Sequence, residues 1–357
     1  MKSAGAFLVI MAGGSGTRFW PKSTASRPKQ LLTFGSEEGP SLLGMTLSRF
    51  DGIAPASARM IVTTRKLKDA VTAQAAGALV LAEPAGRNTA PCVYWAAREI
   101  AARDPRAVML VMPADHYMAF PERFRETVNA AIRWAETHDD LVTLGVRPTR
   151  PETGYGYLHI GDTLEGGPCR RVRAFVEKPN RPKAEEFLRS GEYFWNGGMF
   201  VWRAEVILRA FDEHMPEMRK TWDECQGVAG SSDPVEAAYP RLTATSIDYG
   251  VMEKAKNVVS FPLDCGWDDL GSWTSLEELA DVLKARRPEG VVSAGEAIGV
   301  DSTGNIIDVP GRTVTLLGVK DLIVVEAGGA LLVADKHRAQ DIKLIIEELK
   351  KRKPGLL

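Results

Sequence analysis

The chain is short of the groups that most often announce chemistry. It has 4 cysteines and 5 histidines in 357 residues. Cys92, Cys169, Cys225 and Cys265 lie far apart, so no pair has metal-ligand or redox spacing, and a chain of this length needs no disulfide staples. Neither charge sign dominates: 45 Lys and Arg face 46 Asp and Glu, a net charge of −1. That argues against a nucleic-acid partner and against a charged interaction tail. The one basic cluster, residues 350–353, reads as a solvated helix end with cations on its negative pole. No run of 18 apolar residues exists, so no membrane span is expected. The apolar run 6–12 is too short for a secretory leader and meets glycines at once. These absences predict a cytoplasmic protein.

What is present is ordinary globular material, 45% hydrophobic, 25% charged and 8% aromatic, enough for one large domain and a smaller one. The run Phe7-Leu8-Val9-Ile10-Met11 is apolar without alternation, as in a parallel strand covered on both faces. Similar strands are expected at 60–63, 107–112 and 141–146. Between them, Phe124, Val128, Ala131, Ile132 and Ala135 form a helical stripe. Alternating strands and helices predict a Rossmann-like, doubly wound α/β sheet of parallel or mixed strands. Ligands then belong at the strands' carboxyl ends. From about Val291 short apolar runs are broken by turns roughly every eight residues, the pattern of an all-β module. A helix carrying Ile342, Ile345, Ile346 and Leu349 closes it. Arg286 to Gly290 reads as a linker, so the expected domains are 1–286, catalytic, and 287–357, structural or assembly-related.

The first strand runs into Ala12-Gly13-Gly14-Ser15-Gly16-Thr17-Arg18, with Pro28-Lys29 downstream. Glycines let the backbone approach a ligand, and inward N–H groups make an anion nest. Arg18 and Lys29 add fixed positive charge, a combination suited to a polyphosphate. A dinucleotide fingerprint is excluded because Phe19 stands where the third glycine belongs and Thr63-Thr64-Arg65 offers no acid after the second strand. A P-loop is excluded for want of Gly-Lys-Ser/Thr. A plain glycine turn with surface cations would explain the glycines alone, but not the whole spaced set.

The set resembles the sugar-1-phosphate nucleotidyltransferases, most closely those acting on GTP and mannose 1-phosphate. The resemblance continues through residues 83–91, 113–116, 150–157, 177–179, 195–199, 246–254 and 266–273. It implies a GMP transfer that yields GDP-mannose and pyrophosphate, with Mg²⁺ as cofactor. It also implies that the C-terminal module is a small left-handed β-helix-like domain used for homodimer contacts. Longer relatives carry a fused isomerase domain, and the length of this chain leads to the expectation of a single-function enzyme.

Site residues follow with their plainer alternatives. Asp115 falls at a strand's carboxyl end, where a metal carboxylate is a better reading than a solvated turn residue. The resemblance supplies a second carboxylate from Asp268-Asp269. Matching the motif selects Asp269, with Asp268 as fallback, since neighbouring side chains on an extended segment point opposite ways. Arg18 would stabilise leaving pyrophosphate and Lys29 would hold the triphosphate. Ala12, Gly13, Gly14, Gly16, Thr17 and Pro113 would border the nucleotide. Glu83, Gly86, Asn88 and Thr89 line base and ribose by resemblance, although Asn88 or Thr89 equally suits a helix N-cap. The resemblance also makes Glu177 an acceptor for sugar hydroxyls and Lys178 the anchor of the sugar phosphate. Tyr155, Gly156, Asn196 and Gly197 would lie beside the sugar, Asn196 bonding a hydroxyl, whereas 195–199 read alone is a turn between strands. Guanine is implied only by the resemblance. The rivals are a sister enzyme with another sugar or base and a catalytically silent, nucleotide-sensing homologue.

Overall fold

A computed structural model describes residues 5–14, 16–34, 38–165, 168–225, 234–281 and 283–357. Ser15 of the glycine loop lies outside them. The chain divides into two compact units, one of residues 1–13, 49–113 and 120–265, the other of 14–48, 114–119 and 266–357.

The first unit is built on a nine-stranded sheet. Its strands run, in order, Leu79–Glu83, Arg59–Thr64, Ala6–Met11, Val108–Pro113, Tyr193–Arg203, Leu141–Val146, Val258–Leu263, Arg170–Glu177 and Gly156–Thr163. The first four are parallel, and Tyr193–Arg203 then enters antiparallel. The sheet is therefore mixed. Leu8, Val9 and Ile10 are all buried, which requires cover on both faces and explains a strand without alternation. Val9, Met60, Val62, Met109 and Val111 share a core with the helix Thr89–Ala101. The helix Pro121–Thr137 buries Phe124, Val128, Ala131 and Ala135, the stripe expected of it, with Ile132 only partly covered.

Two expectations change here. Residues 195–199 are not a turn; they lie inside the strand Tyr193–Arg203. Gly198, at φ 63°, supplies a left-handed kink within the pairing. Arg286 to Gly290 is not a slack linker either, because Arg286 and Arg287 pair antiparallel with Val291 and Gly290 as a hairpin.

In the second unit the strands Gly290–Val300, Asn305–Leu317 and Leu322–Ala327 stack in parallel, and Ala330–Asp335 closes antiparallel. Successive parallel strands without intervening helices make a β-helix-type coil. Gly290, at φ 138°, fits where a Cβ would lie 2.0 Å from the Asn305 carbonyl oxygen, so no side chain is tolerated there. The coil does not stand apart from the glycine-loop segment. Phe19, Trp20, Leu32 and Leu42 share one core with Trp273, Ile306, Ile323 and Ile342. The compact units thus divide the chain differently from the expected boundary at 286–287, because apolar burial unites the C-terminal strands with residues 14–48. No helix among the described residues is long and apolar enough to cross a membrane.

Candidate active site

In the second unit Gly16, Thr17, Arg18, Lys29, Asp115 and Asp269 line one cleft. Phe19 and Trp20 are buried and anchor the loop, while Thr17 and Arg18 are left exposed. Gly16 has φ 54°, and a Cβ on it would stand 2.5 Å from Lys29 Cβ. Only glycine lets the loop lie this close to Lys29. Lys29 is buried; its Nζ stands 2.8 Å from Asp115 Oδ2 and donates to the Asp269 carbonyl oxygen. Burial opposes ionisation of Asp115, but Lys29 and His116 outweigh it and hold the carboxyl below the usual range. Arg18 donates to the Gly271 carbonyl at 3.1 Å and reaches Gln340 Oε1 at 3.5 Å. Gln340 had no sequence signal, and it brings the C-terminal module to the rim of the phosphate-type cleft.

The neighbouring aspartates separate as their alternation requires. Asp268 is buried in a two-residue strand paired with Tyr117, and its Oδ1 accepts the Leu270 N–H at 2.7 Å. Asp269 lines the cleft. Among the described residues no group of three or more metal-ligating side chains occurs. Two carboxylates on one cleft is the donor set that Mg²⁺ takes when substrate phosphates and water complete its octahedron.

In the first unit, two groups of expected residues come together. Ala12, just past the first strand, donates its N–H to the Val62 carbonyl at 2.8 Å. Beside it, a Cβ on Gly13 would lie 3.1 Å from Glu83 Oε2. The other Glu83 oxygen accepts from the Tyr239 hydroxyl. Burial pushes the Glu83 carboxyl up to about 7, the Tyr239 bond pulling partly the other way. Nothing in the sequence pointed to Tyr239. Asn88 does cap the helix Thr89–Ala101, its Oδ1 accepting the Thr89 N–H at 2.8 Å, and Thr89 Oγ1 accepts the Ile247 N–H at 2.9 Å. Gly86 is exposed, and a Cβ on it would meet nothing within 4 Å. Pro113 ends its strand with Cγ 3.8 Å from where a Gly198 Cβ would be.

The second group surrounds the end of the strand Arg170–Glu177. Gly156 pairs with Glu177, and a Cβ on Gly156 would stand 2.4 Å from Glu177 Oε2. Lys178, at φ 47°, turns its Nζ to 3.2 Å from Glu177 Oε1. Tyr155 stands edge-on to Trp195 at 5.2 Å. A Cβ on Gly197 would lie 2.9 Å from the Leu144 carbonyl, so backbone runs close to backbone there. Asn196 Nδ2 donates to Asp248 Oδ1 at 2.8 Å. Asp248 was missed as a site residue although it stands within the motif at 246–254. Burial and the nearby Glu177 raise its carboxyl to about 6.

A nucleotidyl transferase family model matches residues 8–286. The chain belongs to the nucleotidyl transferase family. A second model, a mannose-phosphate isomerase/GMP-like β-helix domain, matches residues 295–349. Family relatives include the mannose-1-phosphate guanylyltransferase ManC of Salmonella typhimurium, 37% identical over 98% of this chain and 74% of the relative. That of Escherichia coli K12 is 36% identical over 96% of this chain and 73% of its own length. A crystal structure from Thermus thermophilus, described as a mannose-1-phosphate geranyltransferase, superposes with TM-score 0.86 at 35% identity. It covers 97% of this chain and 99% of that one. The α/β sheet with its β-helix module is thus the architecture of a nucleotidyltransferase enzyme.

Proposed function

We propose that the chain transfers GMP from GTP to α-D-mannose 1-phosphate, giving GDP-mannose and pyrophosphate. The observation that carries this reading is the Lys29–Asp115 pair, 2.8 Å apart, on a cleft shared with Arg18 and Asp269. Fixed cations and two carboxylates around a glycine loop suit a polyphosphate with a divalent cation. The substrates are carried over from relatives named mannose-1-phosphate guanylyltransferase.

The chemistry needs no protein nucleophile. A sugar-phosphate oxygen attacks the α-phosphorus in line and pyrophosphate leaves, so the protein contributes position and charge. Gly14, Gly16 and Thr17 border the triphosphate, and Arg18 and Lys29 neutralise the charge gathering on the leaving pyrophosphate. Lys178 anchors the sugar phosphate and Glu177 accepts from sugar hydroxyls. The segment from Glu83 to Thr89 borders base and ribose. Asp115 and Asp269 would hold Mg²⁺, which when bound offsets phosphate charge.

Residues 1–286 serve as the catalytic region and 287–357 as an assembly module in a homodimer, working in the cytoplasm. The module exposes Ile298, Val300, Leu317, Leu331 and Val333, more apolar surface than a lone module should leave in water. Sedimentation of the protein and of a Leu317→Glu variant tests the dimer; a monomer in both discards it. The function is tested by pyrophosphate release with Mg²⁺ and each pairing of GTP, ATP, CTP, UTP or dTTP with mannose or glucose 1-phosphate. Release confined to GTP with mannose 1-phosphate is expected. Release with another pair overturns the substrates. No release with any pair favours the silent homologue.

A further inference from the structure

The amide oxygen of Asn196 is already committed within the fold. Its Oδ1 accepts from Thr143 Oγ1 at 3.0 Å and from the Gly198 N–H at 3.3 Å. Those two bonds occupy both lone pairs of a carboxamide oxygen. Its Nδ2 donates to Asp248 Oδ1 at 2.8 Å. Thr143 is fully buried on the neighbouring strand, and turning the amide over would set its NH2 against the Gly198 N–H and its oxygen against the Asp248 carboxyl. Asn196 therefore has no acceptor to offer a sugar hydroxyl.

Asp248 has. A carboxylate accepts about four hydrogen bonds, and Asn196 supplies one. The wide π-helical turn Asp248–Met252 is fixed from the other side. Thr89 Oγ1 takes the Ile247 N–H at 2.9 Å, and the Ala90 N–H reaches the Thr245 carbonyl at 3.0 Å. The bond from Asn196, with Glu177 and Lys178 both acting on its charge, sets Asp248 among the expected sugar-phosphate residues. The fold thus holds the carboxylate where hydroxyl-bearing substrate is expected and uses an amide to aim it.

From this geometry we infer that Asp248 is the sugar-hydroxyl acceptor beside Glu177, and that Asn196 is its positioning residue rather than an acceptor for the sugar. This rests on the reading of the first unit as the mannose 1-phosphate site. It assigns a role to a residue that the motif alone left without one.

The test is steady-state pyrophosphate release by the full chain and by Asp248→Asn, Asn196→Asp and the exchange Asn196→Asp/Asp248→Asn, each with its melting temperature. In Asp248→Asn, KM for mannose 1-phosphate should rise at least tenfold while KM for GTP stays within about twofold. The exchange restores the amide–carboxylate bond, so it should recover melting temperature but leave KM for the sugar high. Deoxy analogues of mannose 1-phosphate add a readout that packing does not move. The analogue lacking the bonded hydroxyl should lose at least tenfold in kcat/KM with the wild type and almost nothing further with Asp248→Asn. Should Asp248→Asn not fold, Asp248→Glu keeps the charge, shifts the oxygens by one methylene and should give the same split in KM. A wild-type sugar KM in the folded single variants, or recovery of KM together with stability in the exchange, overturns the inference. Inactivity of the wild type with every nucleotide and sugar overturns the underlying function instead, so the two failures are distinguishable.

Discussion

Lys29 Nζ lies 2.8 Å from Asp115 Oδ2 while also donating to the Asp269 backbone carbonyl. One buried ammonium therefore ties together both segments that carry the cleft's carboxylates. Its removal should act on turnover more than on folding, since Asp115 is partly exposed and water can replace the lost partner. Lys29→Met is expected to lower kcat for pyrophosphate release by about 100-fold or more, with melting reduced by only a few degrees. Retained turnover in a folded variant would remove Lys29 from the machinery.

Gly16 should reproduce that loss by another route. A Cβ at residue 16 would meet Lys29 Cβ at 2.5 Å and its backbone N at 2.6 Å, at a φ of 54°. Gly16→Ala must push Lys29 away or distort the loop. Because both changes damage the same contact, Gly16→Ala/Lys29→Met should cost little more than the worse single variant. Independent, additive losses in kcat/KM would show that the glycine serves something other than the lysine.

The paired aspartates give a clean division of labour to measure. Asp269→Asn should lose about 100-fold or more in turnover and keep its melting temperature. Asp268→Asn removes the charge from the bond to the Leu270 N–H and should cost about 1 kcal/mol in stability, with a smaller effect on rate. The reverse pattern would exchange the roles of the two residues.

Much of this arrangement was legible in the sequence, for reasons that differ by element. The strand at 6–11 announced itself because burial on both faces leaves an unbroken apolar run. The segregation of Asp268 from Asp269 followed from the two-residue period of an extended chain. The strand around Asn196 was hidden because its two glycines imitate a turn. They are there for close backbone approach and a left-handed kink. The shared core of Trp20 with Ile306 and Ile323 was hidden for another reason: both segments read as self-contained, and nothing local records a long-range contact. Asp248 lay inside a recognised motif, but nothing in that motif's spacing singled it out, whereas its bond from Asn196 does.

Glu83 carries a pH signature that can be read without substrate. Its carboxyl sits at about 7 in the fold against an ordinary value near 4.5, chiefly through burial. A raised acid favours the protonated native state. Its contribution to stability is complete below about pH 4.5 and is lost as pH rises towards 7, to a limit of about 3 kcal/mol. Glu83→Gln keeps an acceptor for the Tyr239 hydroxyl and cannot ionise. Denaturant midpoints should therefore fall between pH 5 and 8 more steeply in the wild type than in Glu83→Gln. Parallel curves would mean that Glu83 ionises as freely in the fold as in the unfolded chain.

The link between the glycine-loop segment and the C-terminal coil can be tested through one buried ion pair. Lys22 Nζ lies 2.9 Å from Asp308 Oδ2, and the Asp308 side chain is fully buried. The Ser293 hydroxyl donates to the same carboxylate at 2.8 Å. Lys22→Met strands a buried charge and should cost about 3–5 kcal/mol. Lys22→Met/Asp308→Asn removes that charge, while the carboxamide oxygen that replaces the carboxylate can still accept from Ser293. The double variant should therefore be clearly more stable than Lys22→Met alone. Equal destabilisation in both would mean that the lysine stem, not the charge, holds the two segments together. Turnover gives the functional reading: Lys22 lies four residues beyond Arg18, so a coil that merely assembles subunits predicts a folded double variant with wild-type kcat. A coil that also braces the loop predicts a kcat that stays low after stability has been restored.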